Sequence, residues 1–247
     1  MRRPDVNRPL IFAHRGACRV APENTLPAFL AAIDLGADGI ELDVHYSSDG
    51  KLMVIHNRTL EATTNGSGRI TAYTYEELRN LDAGSYFAPQ FIGARIPVLD
   101  EVLALCKGKL LMNIELKSLE TTTAGIGADV VAAVRAHDMA DQVVLSSFNP
   151  LALRRAKKAG PEIECALLTA PDLPGWMRSG LTLRYSRASA VHPELPMVDA
   201  AYMAWARKRK IPVRPWTVNE EADIRRMIEL GVDAIITDVP DVALTLL

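Results

Sequence analysis

A chain of 247 residues, 49% hydrophobic and 23% charged, is long enough to bury a sizeable core and too apolar to stay unfolded. A formal net charge of -2 argues against a general binder of nucleic acid or anionic membranes, and no apolar run reaches the length of a membrane span. Cys18, Cys106 and Cys165 lie far apart and suit reduced thiols, and the basic N-terminus lacks the apolar block of a signal peptide, so the cytoplasm is the expected compartment.

Short apolar strands alternate with amphipathic helical stretches along the chain. The first strand, "LIFAH", ends in His14, and Arg15 follows. "TLPAFLAAIDLG" then places Leu26, Phe29, Leu30 and Ile33 on one helical stripe, with Pro27 in the first turn and Gly36 as the left-handed stop. In "GIELDVHY", residues 39–46, Ile40, Leu42 and Val44 alternate with Glu41, Asp43 and His45, which predicts a strand with two unlike faces. "LMVIH" reads as another strand, ending in His56.

Residues 57–97 break this rhythm, being rich in Thr, Gly, Asn and Tyr, with only "TYEELRNL" helical in character. They are expected to form a small insertion over the mouth of a single domain spanning residues 1–247. "LLMNIELK", "VVLSSF", "IECALL", "ASAVH", "IPVRPWTV" and "DAIITD" complete the strands. "NEEADIRRMIELG" is a helix with Asn219 as N-cap, Glu220 and Glu221 at its positive end and Gly231 as its stop. "GADGIELDV" and "GVDAIITDV" echo each other, each ending with an acid at the carboxyl end of a strand. About eight strand–helix units in ~250 residues predict an α/β chain folded as a (β/α)8 TIM barrel; an open doubly wound sheet is the alternative.

The chemistry sits on the polar faces. Glu41 and Asp43, two residues apart, point the same way and, in a barrel, inward. Two carboxylates about 5 Å apart repel by ~3 kcal/mol at an effective dielectric near 20. A divalent cation with oxygen ligands relieves that repulsion; solvation or pairing with basic residues is the other reading. "NIELK" repeats the pattern with Asn113, Glu115 and Lys117 on one face, adding a third acid and a lysine. This set suits phosphate handling, unless Glu115 and Lys117 form only a structural ion pair. His14 and His56, each closing an apolar strand beside the acids, suggest a general acid and base, and Arg15 offers a planar fork to phosphate oxygens.

The remaining candidates have plainer readings. His45 suits support of the site or helix-end packing, His137 the surface, and His192 the mouth or the core. Leu10, Phe12 and Val54 share faces with the two histidines and read as barrel-layer packing. Cys18 reads as an inert packed thiol, and Ser146, Ser147 and Phe148 as mouth or turn residues.

"AHRGACRVAPENTLPAF", "GADGIELDVHYSSDGKLMVIHN" and "NIELK" resemble the glycerophosphodiester phosphodiesterases, and the likeness continues in order through "WTVNEEADIRRMIELGVDAIITDVPD". Length and N-terminus are similar to the short cytosolic bacterial type. The resemblance implies a TIM barrel and hydrolysis of glycerophosphodiesters to sn-glycerol 3-phosphate and an alcohol. It implies Glu41, Asp43 and Glu115 as ligands of one divalent cation, Mg²⁺ or Ca²⁺, and His14 and His56 as the catalytic acid–base pair. It implies Arg15 and Lys117 as phosphate binders and Trp216 as a substrate-binding wall of the mouth. The partner is then a small-molecule substrate, with no nucleic acid and no stable membrane insertion. A lysophospholipase D-like enzyme on the same scaffold and a non-catalytic glycerophosphodiester-binding protein are the rival readings.

Overall fold

The computed structural model describes residues 7–118 and 125–247. Seven parallel strands form the wall: β1 (Leu10–Ala13), β2 (Gly39–Tyr46), β4 (Leu111–Leu116), β5 (Val143–Ser147), β6 (Glu164–Thr169), β7 (Ala190–Pro193) and β8 (Ala234–Thr237). Their spatial order is β7-β6-β5-β4-β2-β1-β8, so the sheet curls until β7 and β8 face one gap.

Residues 213–218 fill that gap. Arg214 N–H donates to Val191 O at 3.1 Å and Trp216 N–H to Pro193 O at 3.1 Å on one side. On the other side Pro215 O accepts from Ile236 N–H at 3.0 Å and Val213 O from Asp233 N–H at 2.9 Å. The expected strand "IPVRPWTV" is therefore present as the closing stave, but Pro212 and Pro215 have no N–H to give and a regular ladder does not form. The wall is that of a TIM barrel.

The stretch "LMVIH" departs from expectation. β3 (Leu52–Val54) pairs antiparallel with β2, Val54 opposite Val44, and makes a hairpin instead of a parallel stave. The turn explains it: Ser47 N–H donates to Lys51 O at 2.9 Å, Gly50 takes φ +81°, and Lys51 N–H donates to Ser47 Oγ at 2.8 Å. Val54 consequently packs in the layer under the helices, not in the barrel interior.

Alternation along the staves separates two apolar layers. Ile40, Leu42, Val44, Met112, Ile114 and Leu116 face outward against helices α1 (Leu26–Asp34), α3 (Leu99–Cys106) and α4 (Ile126–Ala136). Inside, Leu10, Phe12, Leu111, Ala234 and Ile236 pack with Trp216, and Val144, Ala166 and Ala190 form a small-residue patch. Gly39 makes room for Phe12: a Cβ there would lie 2.6 Å from the Phe12 ring and 2.7 Å from Leu111 O.

The helices hold smaller corrections. α1 starts with Pro27 in its first turn and stops before Gly36 at φ +78°, as expected, but Leu30 is 45% exposed and the buried stripe is Ala28, Phe29 and Ala32. The later helices α5 (Pro150–Ala159), α6 (Gly180–Ser186), α7 (Ala200–Arg209), α8 (Glu221–Glu229) and α9 (Pro240–Thr245) complete the outer layer. Glu220, not Asn219, occupies the N-cap position of α8 and makes no side-chain capping bond, and the Asn219 side chain is committed elsewhere.

Met53 of β3 and residues beyond it, Ile55, Leu60, Ile70, Leu78, Ala83 and Ile96, form their own apolar cluster. Within it, the predicted helix is α2 (Tyr75–Arg79), closed by a Thr74–Glu77 capping box. Among the described residues no helix is long and apolar enough to cross a membrane. Replacing Gly39 by Ala should destabilise the fold by about 1–3 kcal/mol through overpacking, read as a lower urea midpoint; trimming the ring with Phe12→Leu in the same chain should recover part of the loss.

Candidate active site

The β2–β4 register sets the site. Glu41 lies opposite Asn113 and Asp43 opposite Glu115, so both staves deliver inward polar side chains at the same two levels. Oxygens of Glu41, Asp43 and Glu115 lie within 4.8 Å of one another. Lys117, just past β4, puts Nζ 2.9 Å from Asp43 Oδ1 and 2.9 Å from Glu115 Oε1.

The turn after β1 adds a second cation. Arg15 has φ +56°, which aims its N–H at Glu41 Oε2, 3.1 Å away. Its guanidinium Nη1 bonds both oxygens of Glu23 at 3.1 Å, and Nε is 3.7 Å from Asp43 Oδ2. Gly16 follows at φ +80°, and a Cβ there would also strike Ala28 at 2.8 Å. Asn24 clamps Asp43 from both ends: Nδ2 donates to Oδ2 at 2.9 Å and Oδ1 accepts from Asp43 N–H at 3.2 Å.

The two histidines arrive by different routes. His14 follows β1 directly; Nδ1–H donates to Asp238 Oδ1 at 2.6 Å, leaving Nε2 3.8 Å from Glu41 Oε2. Asp238 is itself held by Asn219, whose Nδ2 donates to Oδ2 at 2.8 Å and whose Oδ1 accepts the Asp238 N–H at 2.9 Å. His56 comes back down the antiparallel hairpin two residues after β3. Its Nδ1–H donates to Asn57 Oδ1 at 2.9 Å, and its carbonyl accepts from His45 Nε2 at 3.0 Å. His45 thus supports the site from behind.

Electrostatics separates these groups. Burial, then repulsion from Asp43, pushes Glu41 up to about 8 despite His14. Burial also raises Glu115 against the pull of Lys117. Asp43 goes the other way: burial opposes it, but Lys117, His56 and Arg15 together hold it well below the usual carboxylate range. Burial lowers His14, yet the Asp238 bond and the Glu41 charge outweigh it and leave His14 raised. Burial brings His56 down to about 4, with Lys117 and Arg15 helping and Asp43 resisting. A pair of imidazoles driven in opposite directions suits one proton donor and one acceptor.

All eight sequence-predicted site residues converge here. His14, Arg15, Glu41, His56, Glu115, Lys117 and Trp216 line one cavity of about 200 Å³, with Asp43 buried behind it. Staves β1, β2 and β4 supply its charged side; Phe148, Leu168, Trp216 and Ile236, from the other staves, supply an apolar side. Phe148 meets Trp216 edge to face at 5.6 Å, and the indole N–H is fixed on His192 O at 2.8 Å.

Among the described residues three buried atoms of side chains lining this cavity, Arg15 Nε, Ser146 Oγ and Asn113 Oδ1, have no hydrogen-bond partner. Three crowded acids, one of them held near 8, and an orphaned amide oxygen make an all-oxygen set that fits a hard divalent cation. Lys117 lies between two of those acids and Arg15 approaches Asp43, but Arg15 is shared with Glu23, so the set is short of positive charge.

Other candidates settle in plainer places. His192 is fully buried near Arg214 Nη1 at 3.3 Å, and burial followed by that charge holds it well below its ordinary value. His137 ends α4 and pairs with Asp100 Oδ1 at 3.0 Å. Burial, then Asp238, pushes the Cys18 thiol up to about 12, so it is inert. Ser147 is the last residue of β5 rather than a turn residue, donating to Leu116 O at 2.8 Å. Sequence reasoning missed Glu23, Asn24 and Asp238. Asp238 was signalled by the acid that ends the second "Gly-x-Asp" echo, and Asn24 by the "PENT" segment beside Arg15.

The chain matches the glycerophosphoryl diester phosphodiesterase family over residues 14–242. It is 40% identical over 238 residues to a glycerophosphodiester phosphodiesterase of Caldanaerobacter subterraneus subsp. tengcongensis, covering 96% of this chain and 97% of that one. It is 39% identical to one from Bacillus altitudinis, covering 94% and 95%. Among solved structures, an Oleispira antarctica phosphodiesterase in complex with the product sn-glycerol-3-phosphate superposes with a TM-score of 0.89 at 29% identity, covering 97% of this chain and 96% of that one. A glycerophosphodiester phosphodiesterase from Agrobacterium tumefaciens gives 0.83 at 33% identity, covering 96% and 99%.

Asp238, held down at about 2 by its bond to His14 against the cost of burial, should contribute about 2 kcal/mol to stability. A depressed carboxyl stabilises above its unfolded value and loses this as pH falls; a raised histidine stabilises below its unfolded value and loses this as pH rises. The stability gap between the parent and Asp238→Asn should therefore be widest between about pH 4 and 6.5, narrowing on both sides, in urea titrations across that range.

Proposed function

The chain belongs to the glycerophosphoryl diester phosphodiesterase family and is a phosphodiester hydrolase of that class, and we propose that it releases sn-glycerol 3-phosphate through a divalent cation and two histidines. The observation that carries this is the acid trio within 4.8 Å, set beside His14 and His56 in one cavity. The product found in the Oleispira antarctica relative supports the substrate class.

Glu41, Asp43 and Glu115 would hold the cation, Mg²⁺ or Ca²⁺, with Asn113 Oδ1 at the level of Glu41 as a further acceptor. When bound, it supplies Lewis-acid neutralisation of the phosphoryl charge. Arg15 and Lys117 present N–H groups to the remaining phosphate oxygens and orient the diester. One imidazole takes the proton from the attacking hydroxyl, of water or of the neighbouring glycerol carbon, and the other gives a proton to the departing alkoxide as the P–O bond breaks; in the second case the product is a cyclic phosphate, which water then opens to glycerol 3-phosphate. Asp238 fixes the ring of His14 and Asn57 that of His56, while His45 holds the His56 carbonyl. Trp216 and Phe148 face the carbon skeleton across the cavity, where Ser146 Oγ offers a hydrogen bond to a glycerol hydroxyl. The three free thiols suit a cytoplasmic setting.

His14→Ala and His56→Ala should each cut kcat on glycerophosphocholine by about 10²- to 10⁴-fold while the melting curve stays near that of the parent. Full turnover in either variant rejects the assignment. Chelation with EDTA should abolish release of glycerol 3-phosphate, and Mg²⁺ or Ca²⁺ should restore it; persistent turnover in metal-free protein removes the cation from the scheme. Lysophosphatidylcholine run beside glycerophosphocholine should be the poorer substrate, and the reverse preference would favour lysophospholipase D chemistry.

A further inference from the structure

A second feature lies outside the catalytic cavity. Leu168 lines that cavity and β6 ends one residue later at Thr169, so the following segment leaves from the barrel mouth. Along it Trp176 is 65% exposed, Leu181 79% and Tyr185 49%. Large apolar side chains held this far out of the core are costly unless something covers them.

The neighbouring helix α5 supplies the charge. Arg154 stacks over the Tyr185 ring at 5.0 Å and donates to Tyr185 O at 3.2 Å, tying α5 to α6. A groove of about 440 Å³ runs between them, lined by Leu151, Arg154, Arg155, Lys158 and Arg187. Across residues 150–193 the chain has seven Lys and Arg and three acids, Glu162, Glu164 and Asp172, of which Glu162 is paired with Arg135 and Glu164 with Arg214. For a chain of net charge -2 this is a concentrated positive face, which the whole-chain balance conceals.

We propose that the α5–α6 face is a peripheral docking surface for an anionic phospholipid bilayer. Trp176 and Leu181 enter the boundary between headgroups and acyl chains, and the surrounding arginines and lysines meet lipid phosphates. Tyr185 and the Arg154 stem occupy the interfacial layer, apolar on one side and wet on the other. A protein partner would need a concavity shaped for Trp176 and Leu181; a bilayer yields one anywhere. The adjoining basic groove selects anionic over neutral lipid. Docking here sets the barrel mouth beside the lipid surface, since the segment starts at the mouth. It does not depend on the substrate assigned above.

Flotation tests this with phosphatidylcholine vesicles and with vesicles containing one third phosphatidylglycerol. The parent should float with the anionic vesicles at about 0.1 M salt, not with neutral ones, and be released at about 1 M. Trp176→Ser with Leu181→Ser, and separately Arg184→Glu with Arg187→Glu, should each weaken partitioning about ten-fold or more, with hydrolysis of soluble glycerophosphocholine unchanged. The charge pair alters only exposed side chains, so it decides the matter even if the apolar pair misfolds. Absence of flotation, equal binding to neutral vesicles, or variants that bind as the parent does would overturn the proposal. So would a lipid-free dimer that the Trp176→Ser, Leu181→Ser chain loses, which would assign the face to a second copy.

Discussion

The site is organised by repulsion among three carboxylates that the barrel forces inward. Two adjacent staves in register leave Glu41, Asp43 and Glu115 no way out of the interior, because their alternate neighbours are locked under the helices. Buried like charges are tolerable only if opposite charges or hydrogen bonds surround them. The surroundings answer residue by residue: Lys117 bridges Asp43 and Glu115, Arg15 approaches Asp43 and gives its backbone N–H to Glu41, and Asn24 clamps Asp43. The compensation is uneven. Asp43 has most of it and is held low; Glu41 has least and is pushed up to about 8, which is where the demand for further positive charge concentrates.

The same geometry gives the two imidazoles unlike characters. His14 directly follows a wall strand and has a half-buried carboxylate behind it; His56 follows a hairpin strand and has an amide beside it. A carboxylate partner favours the charged ring, whereas an amide does little against desolvation. Difference in function is thus written into the second partner of each ring, not into the histidines themselves.

Most of this was legible from alternation alone. Strict period-two runs put Glu41, Asp43, Asn113, Glu115 and Lys117 on inward faces, and strand ends placed His14 beside them. What was not legible depends on contacts across long sequence separations. Asp238 reaches His14 from the other end of the chain, and Asn24 reaches Asp43 from a turn with φ +55°. Asn219 has the right chemistry for a helix cap, yet two bonds to Asp238 outcompete that role. "LMVIH" looks like any buried strand; only the Ser47–Lys51 turn makes it run backwards. Leu30 satisfies helical spacing, but Ala28 and Ala32 let α1 lie closer to the wall and turn Leu30 outward.

The closing stave has a consequence for how the molecule comes apart. Ladders between β2 and β4 are continuous over six residue pairs, while the stave carrying Trp216 is fastened by scattered bonds on either side. Opening on heating or in denaturant begins at the weakest longitudinal join. The barrel therefore has a seam, and the seam carries the cavity's apolar wall. A chain parted there loses its grip on the carbon skeleton of a ligand while the carboxylate trio, on the opposite and best-knit staves, still stands.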